Sequence, residues 1–130
     1  MNQYTKEVMK HFLKPKNAGI IKNADGIGKE GNQTCGDVME VYIKVGKKNN
    51  LEIIKEVKFK TLGCPAAIAS SDVLCEIAKG KTFEEAEKIS NTDILKKLKG
   101  LPMVKLHCSV MGAKTLKKAI EDYKNKQRGK

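Results

Sequence analysis

The chain has 130 residues, of which 40% are hydrophobic and 32% are charged. This length predicts one domain spanning residues 1–130, and the apolar content excludes a disordered acidic chain. No run of about 18 apolar residues is present, so the sequence predicts neither a membrane-spanning helix nor a membrane partner. The N-terminal residues lack both an apolar core and a cleavage site, so we expect no secretory signal and a cytoplasmic protein.

The charge is strongly positive, with 26 basic and 15 acidic side chains giving a net charge of +11. Residues 114–130 carry seven of the basic and two of the acidic side chains, so nearly half of the excess lies there. Aromatic residues make up 5% and tryptophan is absent, which leaves few platforms for stacking bases. We therefore favour a lysine-rich solvated surface and no nucleic-acid partner. A basic nucleic-acid binder stays an alternative, and attraction of acidic proteins is open.

The first 36 residues are predicted to form one helix and a loop. Apolar residues between Gln3 and Leu13 recur at helical spacing, and the helix should end before Pro15. Residues 17–36 hold five glycines, which indicates mostly loop, with a short edge strand at Ile20 and Ile21.

A β-hairpin is predicted next. Apolar residues alternate with polar ones from Met39 to Val45, the period of a half-buried strand. Residues 46–50 form a polar turn, and the short connection indicates antiparallel pairing. The apolar residues that we expect on one face of the second strand are Leu51, Ile53, Val57 and Phe59.

Helical periods replace strand periods after Gly63. One helix should start at Pro65 and stop at Gly80, and Thr82 with Glu85 has the spacing of a capping box that opens a second. The sequence predicts two more, one containing Ile94, Leu95 and Leu98, and one from Ser109 to Asn125. Strands followed by helices indicate an α+β fold, a small antiparallel sheet covered by helices.

Four cysteines are present, and none forms a CxxC pair, which excludes zinc-ribbon and thioredoxin motifs. Three of them lie at predicted element ends, in Cys35-Gly36-Asp37, Gly63-Cys64-Pro65 and His107-Cys108. Two of these fall at helix starts, where the helix dipole favours the thiolate that binds metals and attacks sulfur. The alternative is that each thiol is a small core residue in a reducing compartment.

The remaining cysteine and the first histidine have simpler interpretations. Cys75 lies within a predicted helix, about 16 Å along the axis from Cys64, so the two cannot share one metal ion. We expect Cys75 in the core. His11 has no cysteine near it in sequence, and we interpret it as a surface or interface histidine.

Three segments resemble the signatures of a known family. They are Thr34–Met39 (TCGDVM), Phe59–Ser71 (FKTLGCPAAIASS) and Leu101–Ser109 (LPMVKLHCS). His11–Gly19 (HFLKPKNAG) is similar to the segment that follows that family's first helix. The family is that of the iron–sulfur cluster scaffold proteins, IscU and the N-terminal module of NifU. The resemblance covers nearly the whole chain in order, and the IscU form fits better because the further domains of NifU are not found in the sequence.

This resemblance implies a fold and a function. The implied fold is a three-stranded antiparallel sheet packed against about four to five helices. The implied function is an assembly scaffold, a sulfur acceptor rather than a true catalyst. It builds a [2Fe–2S] cluster from iron and the persulfide sulfur of a cysteine desulfurase, then passes the cluster on. The implied partners are the desulfurase, an iron donor and acceptor apoproteins.

The resemblance also implies the site residues. The cluster or iron ligands carried over are Cys35, Asp37, Cys64, His107 and Cys108. Cys108 matches the principal sulfur acceptor, with Cys35 and Cys64 as the other thiols, and Lys105 matches a lysine that would screen their charge. Soft thiolates suit iron–sulfur clusters, while the hard Asp37 oxygen and a neutral His107 should hold the cluster less firmly than four thiolates would. Zn²⁺ accepts the same cysteine and histidine ligands.

Two positions depart from the family pattern. Pro65 replaces the glycine that usually follows the second cysteine; it is compatible with a helix start but stiffens the chain there. Met103 stands where the family often has proline, in a motif that a chaperone pair reads in bacteria. The matching residues are Leu101, Pro102, Val104 and Lys105, so recognition by a chaperone is left open.

A zinc-bound sulfurtransferase of the related SufU type is the main alternative. That branch has an insertion between its second and last cysteines and lacks the histidine before the last one. Here the interval from Cys64 to Cys108 is 44 residues and is filled by predicted helices, and His107 is present. The sequence therefore favours the scaffold.

Overall fold

The computed structural model describes residues 4–32, 37–62, 65–100 and 106–128, with side chains described for 4–31, 38–61, 65–100 and 112–127. In chain order its elements are α1 (Lys6–Leu13), β1 (Gly26–Asn32), β2 (Asp37–Lys48), β3 (Leu51–Leu62), α2 (Pro65–Ala78), α3 (Phe83–Glu87), α4 (Asn91–Leu98) and α5 (Leu106–Arg128). The strands form one antiparallel sheet in the order β1-β2-β3. The predicted α+β class, with a three-stranded sheet and about four to five helices, is confirmed.

The hairpin between β2 and β3 is tighter than predicted. Asn49 and Asn50 have positive φ angles of 53° and 67°, and Lys48 pairs with Leu51, so the turn has only two residues. Asparagine tolerates this left-handed conformation, as a turn of this length requires. The predicted turn over residues 46–50 was too wide, because Gly46–Lys48 continue β2.

A bulge changes which side of β3 faces the core. Lys44 pairs with Glu56 whereas Val45 pairs with Ile54, so Lys55 is an extra residue on β3. The alternation shifts by one residue there. Ile54 is consequently fully buried and Leu51 is exposed. The prediction that Leu51 and Ile53 share the inner face with Val57 and Phe59 was wrong.

The predicted short strand at Ile20 and Ile21 was also wrong, since the first strand is the glycine-rich β1. A Cβ atom on Gly26 would lie 2.2 Å from the Ala119 carbonyl oxygen. One on Gly28 would lie 2.2 Å from that of Thr115. These glycines allow β1 to lie directly against α5, where any side chain would collide with the helix backbone.

The helices agree with their sequence signals, with shifted ends. Thr5 caps α1, and Thr82 forms the predicted capping box with Glu85. A second capping box, Ser90 with Asp93, opens α4 and was missed. α5 begins at Leu106, three residues before the predicted start at Ser109.

The core lies between one face of the sheet and the helices. Its largest fully buried side chains include Phe59, Met39, Ile43, Leu74 and Leu116. Cys75 is also fully buried, as predicted, and this burial, with Asp72 nearby, raises the pKa of its thiol above the usual range. No helix in the described ranges is both long and apolar enough to cross a bilayer.

Candidate functional site

The predicted site residues are described to different extents. Asp37 is the first residue of β2, and His107 and Cys108 lie in the first turn of α5, so their backbone positions are known. Their side chains lie outside the described set. The predicted residues that lie wholly outside the described ranges are Cys35, Cys64, Leu101, Pro102, Met103, Val104 and Lys105.

The strand ends that flank the first two cysteines lie at the same end of the sheet. Asn32, the last residue of β1, pairs with Asp37, the first of β2. Val38, the next residue of β2, pairs with Leu62, the last of β3. Cys35 belongs to the segment that joins Asn32 to Asp37. Cys64 belongs to the two-residue segment between Leu62 and α2.

The start of α5 points toward that same end. Ala119 lies against Gly26, which pairs with Ile43. Nearer its start, a Cβ atom on Gly112 would lie 3.8 Å from Met39 Cε, and Met39 is two residues from Asp37. The helix therefore runs with its N-terminus, which contains His107 and Cys108, toward the end of the sheet where β2 begins. Three segments that are distant in sequence thus begin or end in one region.

The two helices that start in this region carry no acidic residue in their first turns. α2 starts at Pro65. Proline has no main-chain N–H, and an N–H at this first helical position would have no partner within the helix. Unpaired main-chain N–H groups and the helix dipole make a helix start locally positive. No carboxylate in either first turn offsets that potential.

Among the side chains that the structure describes, no group of three or more His, Cys, Asp or Glu residues is arranged to hold a metal ion. The predicted ligands are outside this set, so the ligand assignment stays a prediction.

His11, interpreted from the sequence as a surface or interface histidine, is not a surface residue but takes part in a partly buried polar cluster within the chain. Its Nδ1 atom lies 2.6 Å from Asp72 Oδ2, and the side chains are 18% and 1% exposed. Asp72 Oδ1 also accepts hydrogen bonds from the Asn17 main-chain N–H at 2.9 Å and side-chain amide at 3.1 Å. One carboxylate thereby joins α1, the segment after it and α2. The signal in the sequence was an acid, Asp72, that lies among small and apolar residues of α2.

These observations define an α+β domain in which segments bearing three separated cysteines lead to one end of a three-stranded antiparallel sheet. The chain belongs to the family of the NifU-like N terminal domain, whose model matches residues 3–130.

Its relatives are close in sequence and cover most of the chain. It is 50% identical over 120 residues to the iron–sulfur cluster assembly scaffold protein IscU 1 of Archaeoglobus fulgidus, covering 92% of this chain and 76% of the relative. It is 45% identical over 130 residues to the IscU scaffold protein of Escherichia coli K12, covering 98% of both. The resemblance inferred from the three motifs is confirmed.

Solved structures show the same fold. The N-terminal part of a nitrogen-fixing NifU-like protein from Brucella abortus matches with a TM-score of 0.72 at 13% identity, over 94% of both chains. FiSufU, from the SUF system of Fervidobacterium islandicum AW-1, matches with a TM-score of 0.68 at 25% identity, over 90% of this chain and 96% of that one. The IscU relatives, at 45% and 50% identity, are considerably closer in sequence.

Proposed function

We propose that this chain is a scaffold on which an iron–sulfur cluster is assembled and from which it passes to acceptor proteins. The observation that carries the proposal is the shared location of the element ends that flank Cys35, Cys64 and Cys108. Relatives that are 45% to 50% identical over more than nine-tenths of the chain are named as IscU scaffold proteins, which supports the same function.

The proposed ligands of a [2Fe–2S] cluster are drawn from Cys35, Asp37, Cys64, His107 and Cys108. Thiolates are the ligands that such clusters require, and imidazole and carboxylate complete a mixed set. A scaffold must also release its cargo. Because Asp37 is a hard oxygen ligand and His107 is neutral when it ligates, this set should hold the cluster less firmly than four thiolates would.

Sulfur delivery is assigned to Cys108 as the principal acceptor, in the first turn of the 23-residue helix α5. The helix start favours its thiolate. That thiolate attacks the outer sulfur of a persulfide on the desulfurase. The persulfide S–S bond breaks, the desulfurase cysteine leaves as a thiolate, and a new persulfide forms on Cys108. Lys105, three residues earlier, would screen the accumulated negative charge.

The proposed partners are a cysteine desulfurase, an iron donor and acceptor apoproteins. The segment from Leu101 to Lys105 precedes α5 directly and is the candidate chaperone motif. With methionine at position 103, we expect a chaperone that requires two adjacent prolines to bind this segment weakly.

Anaerobic reconstitution with iron, cysteine and a desulfurase tests the proposal. We expect a visible charge-transfer absorption, iron and sulfide in equal amounts, and a Mössbauer spectrum of paired irons. Replacing Cys35, Cys64 or Cys108 by alanine should abolish these signals, whereas Cys75→Ala is the matched control, because Cys75 is buried in the core. Retention of the cluster in all the alanine variants would contradict the proposal.

The same experiment distinguishes the zinc-bound SufU-type sulfurtransferase. That function predicts no chromophore, tight zinc binding and faster desulfurase turnover. The fold does not favour the sulfurtransferase, since FiSufU, which shares it, is described as an iron–sulfur cluster assembly scaffold protein for the SUF system. The interval from Cys64 to Cys108 offers little room for the insertion of that branch, because α2, α3 and α4 occupy residues 65–98.

A further inference from the structure

An open groove of about 220 Å³ lies along the outer edge of β3. Its apolar lining comes from Phe12 of α1, Ala18, Phe59 of β3 and Ile68 of α2, and Thr61 borders it near the end of the strand. Phe59 is nearly fully buried and forms the floor. Leu13, which follows Phe12 in the sequence, has 66% of its surface exposed.

The segment that follows α1 pairs with β3 over a short part of this edge. Phe59 donates its N–H to the Asn17 carbonyl oxygen at 3.0 Å and accepts from the Gly19 N–H at 2.8 Å. Ala18 thus makes a parallel bridge with Phe59. The bridge goes no further, since Gly19 has a φ angle of 137° and turns the chain away.

The main-chain N–H and C=O groups of Thr61 lie at this edge of β3, beyond the bridge. Residues two apart in a strand direct their N–H and C=O groups to the same side, so those of Thr61 point to the edge that Phe59 uses. Within the described ranges, no main-chain group pairs with them. An unpaired edge next to an apolar groove is the arrangement to which an extended peptide adds as a further strand.

A second opening, bordered mostly by polar residues, lies near the same end of β3. It has a volume of about 150 Å³ and is lined by Val38, Glu40, Lys60 and Thr61. Val38 is 40% exposed, and Lys60 and Thr61 border both openings.

The rim of the groove is positively charged. Lys58 lies against Gly19, and Lys60 lines the groove. Neither lysine forms an ion pair with a residue that the structure describes.

The acidic residue nearby is already engaged. Glu40 accepts a hydrogen bond from the Tyr42 hydroxyl and lies 3.7 Å from Lys29 Nζ. It is therefore a poor neutraliser of the groove lysines. A segment that carries carboxylates would supply the charge that this rim lacks.

We propose that the groove binds an extended, acidic segment of a partner protein, which adds to β3 as an edge strand beside Thr61. Alternate apolar side chains of the segment would pack on Phe59, Phe12 and Ile68. Its carboxylates would face Lys58 and Lys60, and its main chain would pair with Thr61. This surface contains none of the proposed ligand residues, although Thr61 precedes Cys64 by three residues in the sequence.

The test is a titration of the full ¹⁵N-labelled chain with a synthetic acetylated and amidated peptide of sequence Glu-Val-Glu-Val-Asp-Ile-Glu, followed by NMR. We expect amide shifts centred on Ala18, Phe59 and Thr61, and weaker binding as salt rises. A control peptide with lysine in place of every acidic residue should bind at least tenfold more weakly. Equal binding of the two peptides, or shifts confined to other surfaces, would overturn the proposal.

Variants distinguish the contribution of main-chain pairing to peptide binding from the contribution of charge. Thr61→Pro removes the edge N–H, and proline is tolerated at an edge position, so binding should fall at least tenfold. Thr61→Val keeps the N–H and should bind like the parent chain. The double variant Lys58→Glu, Lys60→Glu should also bind at least tenfold more weakly, and it provides the test if Thr61→Pro does not fold. Unchanged binding by the folded variants would contradict the assignment.

Two further outcomes are informative. If sedimentation shows a dimer that Thr61→Pro dissociates, the edge binds a second copy of this chain and the proposal is wrong. Cluster reconstitution is measured on the same variants and should be unchanged. In the parent chain, cluster assembly without binding of the acidic peptide would refute this proposal alone, whereas peptide binding without cluster assembly would refute the proposed function alone.

Discussion

His11 and Asp72 are 61 positions apart in the sequence, and their side chains meet at 2.6 Å between Nδ1 and Oδ2. The carboxylate is almost inaccessible, with 1% of the side chain exposed, and it also binds Asn17. Buried carboxylates are stable only where hydrogen-bond donors surround them. This cluster therefore fixes α1 on α2, and α2 begins directly after Cys64.

Replacement of Asp72 by alanine should lower the free energy of unfolding by about 2–3 kcal/mol, because it leaves the donors of His11 and Asn17 without their acceptor. Asp72→Asn should cost less, since its amide oxygen can still accept from Asn17. Glu76→Ala, one helical turn away at an exposed position, is the matched control, with a change within about 0.5 kcal/mol. Urea unfolding measures all three, and equal effects at positions 72 and 76 would refute the role of the cluster.

Ser70, unlike Asp72, carries a buried polar group that should lower the stability of the fold. Its hydroxyl is buried and has no hydrogen-bond partner among the residues that the structure describes, whereas the hydroxyl of Ser71 donates to the Ala67 carbonyl oxygen at 2.7 Å. Ser70→Ala should therefore stabilise the chain by about 0.5–1 kcal/mol, since alanine favours the helix and removes an unsatisfied group. Ser71→Ala loses a hydrogen bond and should give no such gain. Thermal unfolding of the two variants compares them, and a lower midpoint for Ser70→Ala would contradict this account.

Local signals in the sequence predicted most of the helices and strands, but not the features that depend on tertiary contacts. The β2–β3 hairpin and α2 follow from periodicity and turn residues, which act over a few positions. β1 has no such period, because Gly26 and Gly28 are required by contact with α5. The bulge at Lys55 depends on pairing with β2, and the partner of His11 lies on another helix.

The candidate site was predicted by a different kind of signal. Its cysteines lie beside glycine, proline or histidine at element ends, and the motifs resemble those of a known family. The spacing alone does not say that the flanking ends meet. That follows from the pairing of Asn32 with Asp37 and of Val38 with Leu62, which is a property of the sheet.

Because β1 packs closely on α5, we expect Gly28→Ala to lower the free energy of unfolding. The new Cβ atom would lie 2.2 Å from the Thr115 carbonyl oxygen, so the strand or the helix must move, at a cost of about 2–3 kcal/mol. Gly80→Ala is the control, because none of the described residues beyond its chain neighbours lies within 4 Å of its Cβ position, and its φ of 85° is unfavourable by about 1 kcal/mol. Urea unfolding should show the larger loss at position 28. A loss at position 28 no greater than that at position 80 would contradict the tight contact.

The contact between β1 and Asp122 of α5 should make part of the free energy of unfolding depend on pH. Asp122 of α5 accepts from the Ile27 N–H at 2.9 Å and pairs with Lys126 at 3.0 Å. Burial acts to raise the pKa of Asp122, but these two contacts outweigh it and hold the pKa below its usual value of 3.8. The carboxylate therefore stabilises the fold fully above the unfolded-state pKa. That contribution is lost as the pH falls through the lower, folded-state pKa.

Comparison with Asp122→Asn isolates this contribution. The amide oxygen can still accept from Ile27, but the charge is gone. The variant should be less stable at pH 7 by under about 1 kcal/mol, since the carboxylate is partly exposed. The difference should shrink once the pH falls below about 4. Urea unfolding from pH 7 to pH 2.5 measures it, and a constant difference over that range would refute the charge effect.

The last prediction concerns cluster release and rests on the proposed ligand set. If Asp37 is the weak oxygen ligand, Asp37→Ala should make the reconstituted cluster more persistent and slow its transfer to an apoprotein that takes up a [2Fe–2S] cluster. Asp37→Cys should slow transfer further, because it completes a set of soft thiolates. The measurement is the rate at which the charge-transfer absorption moves from scaffold to acceptor under anaerobic conditions. Equal rates for the parent chain and both variants would show that Asp37 does not govern release.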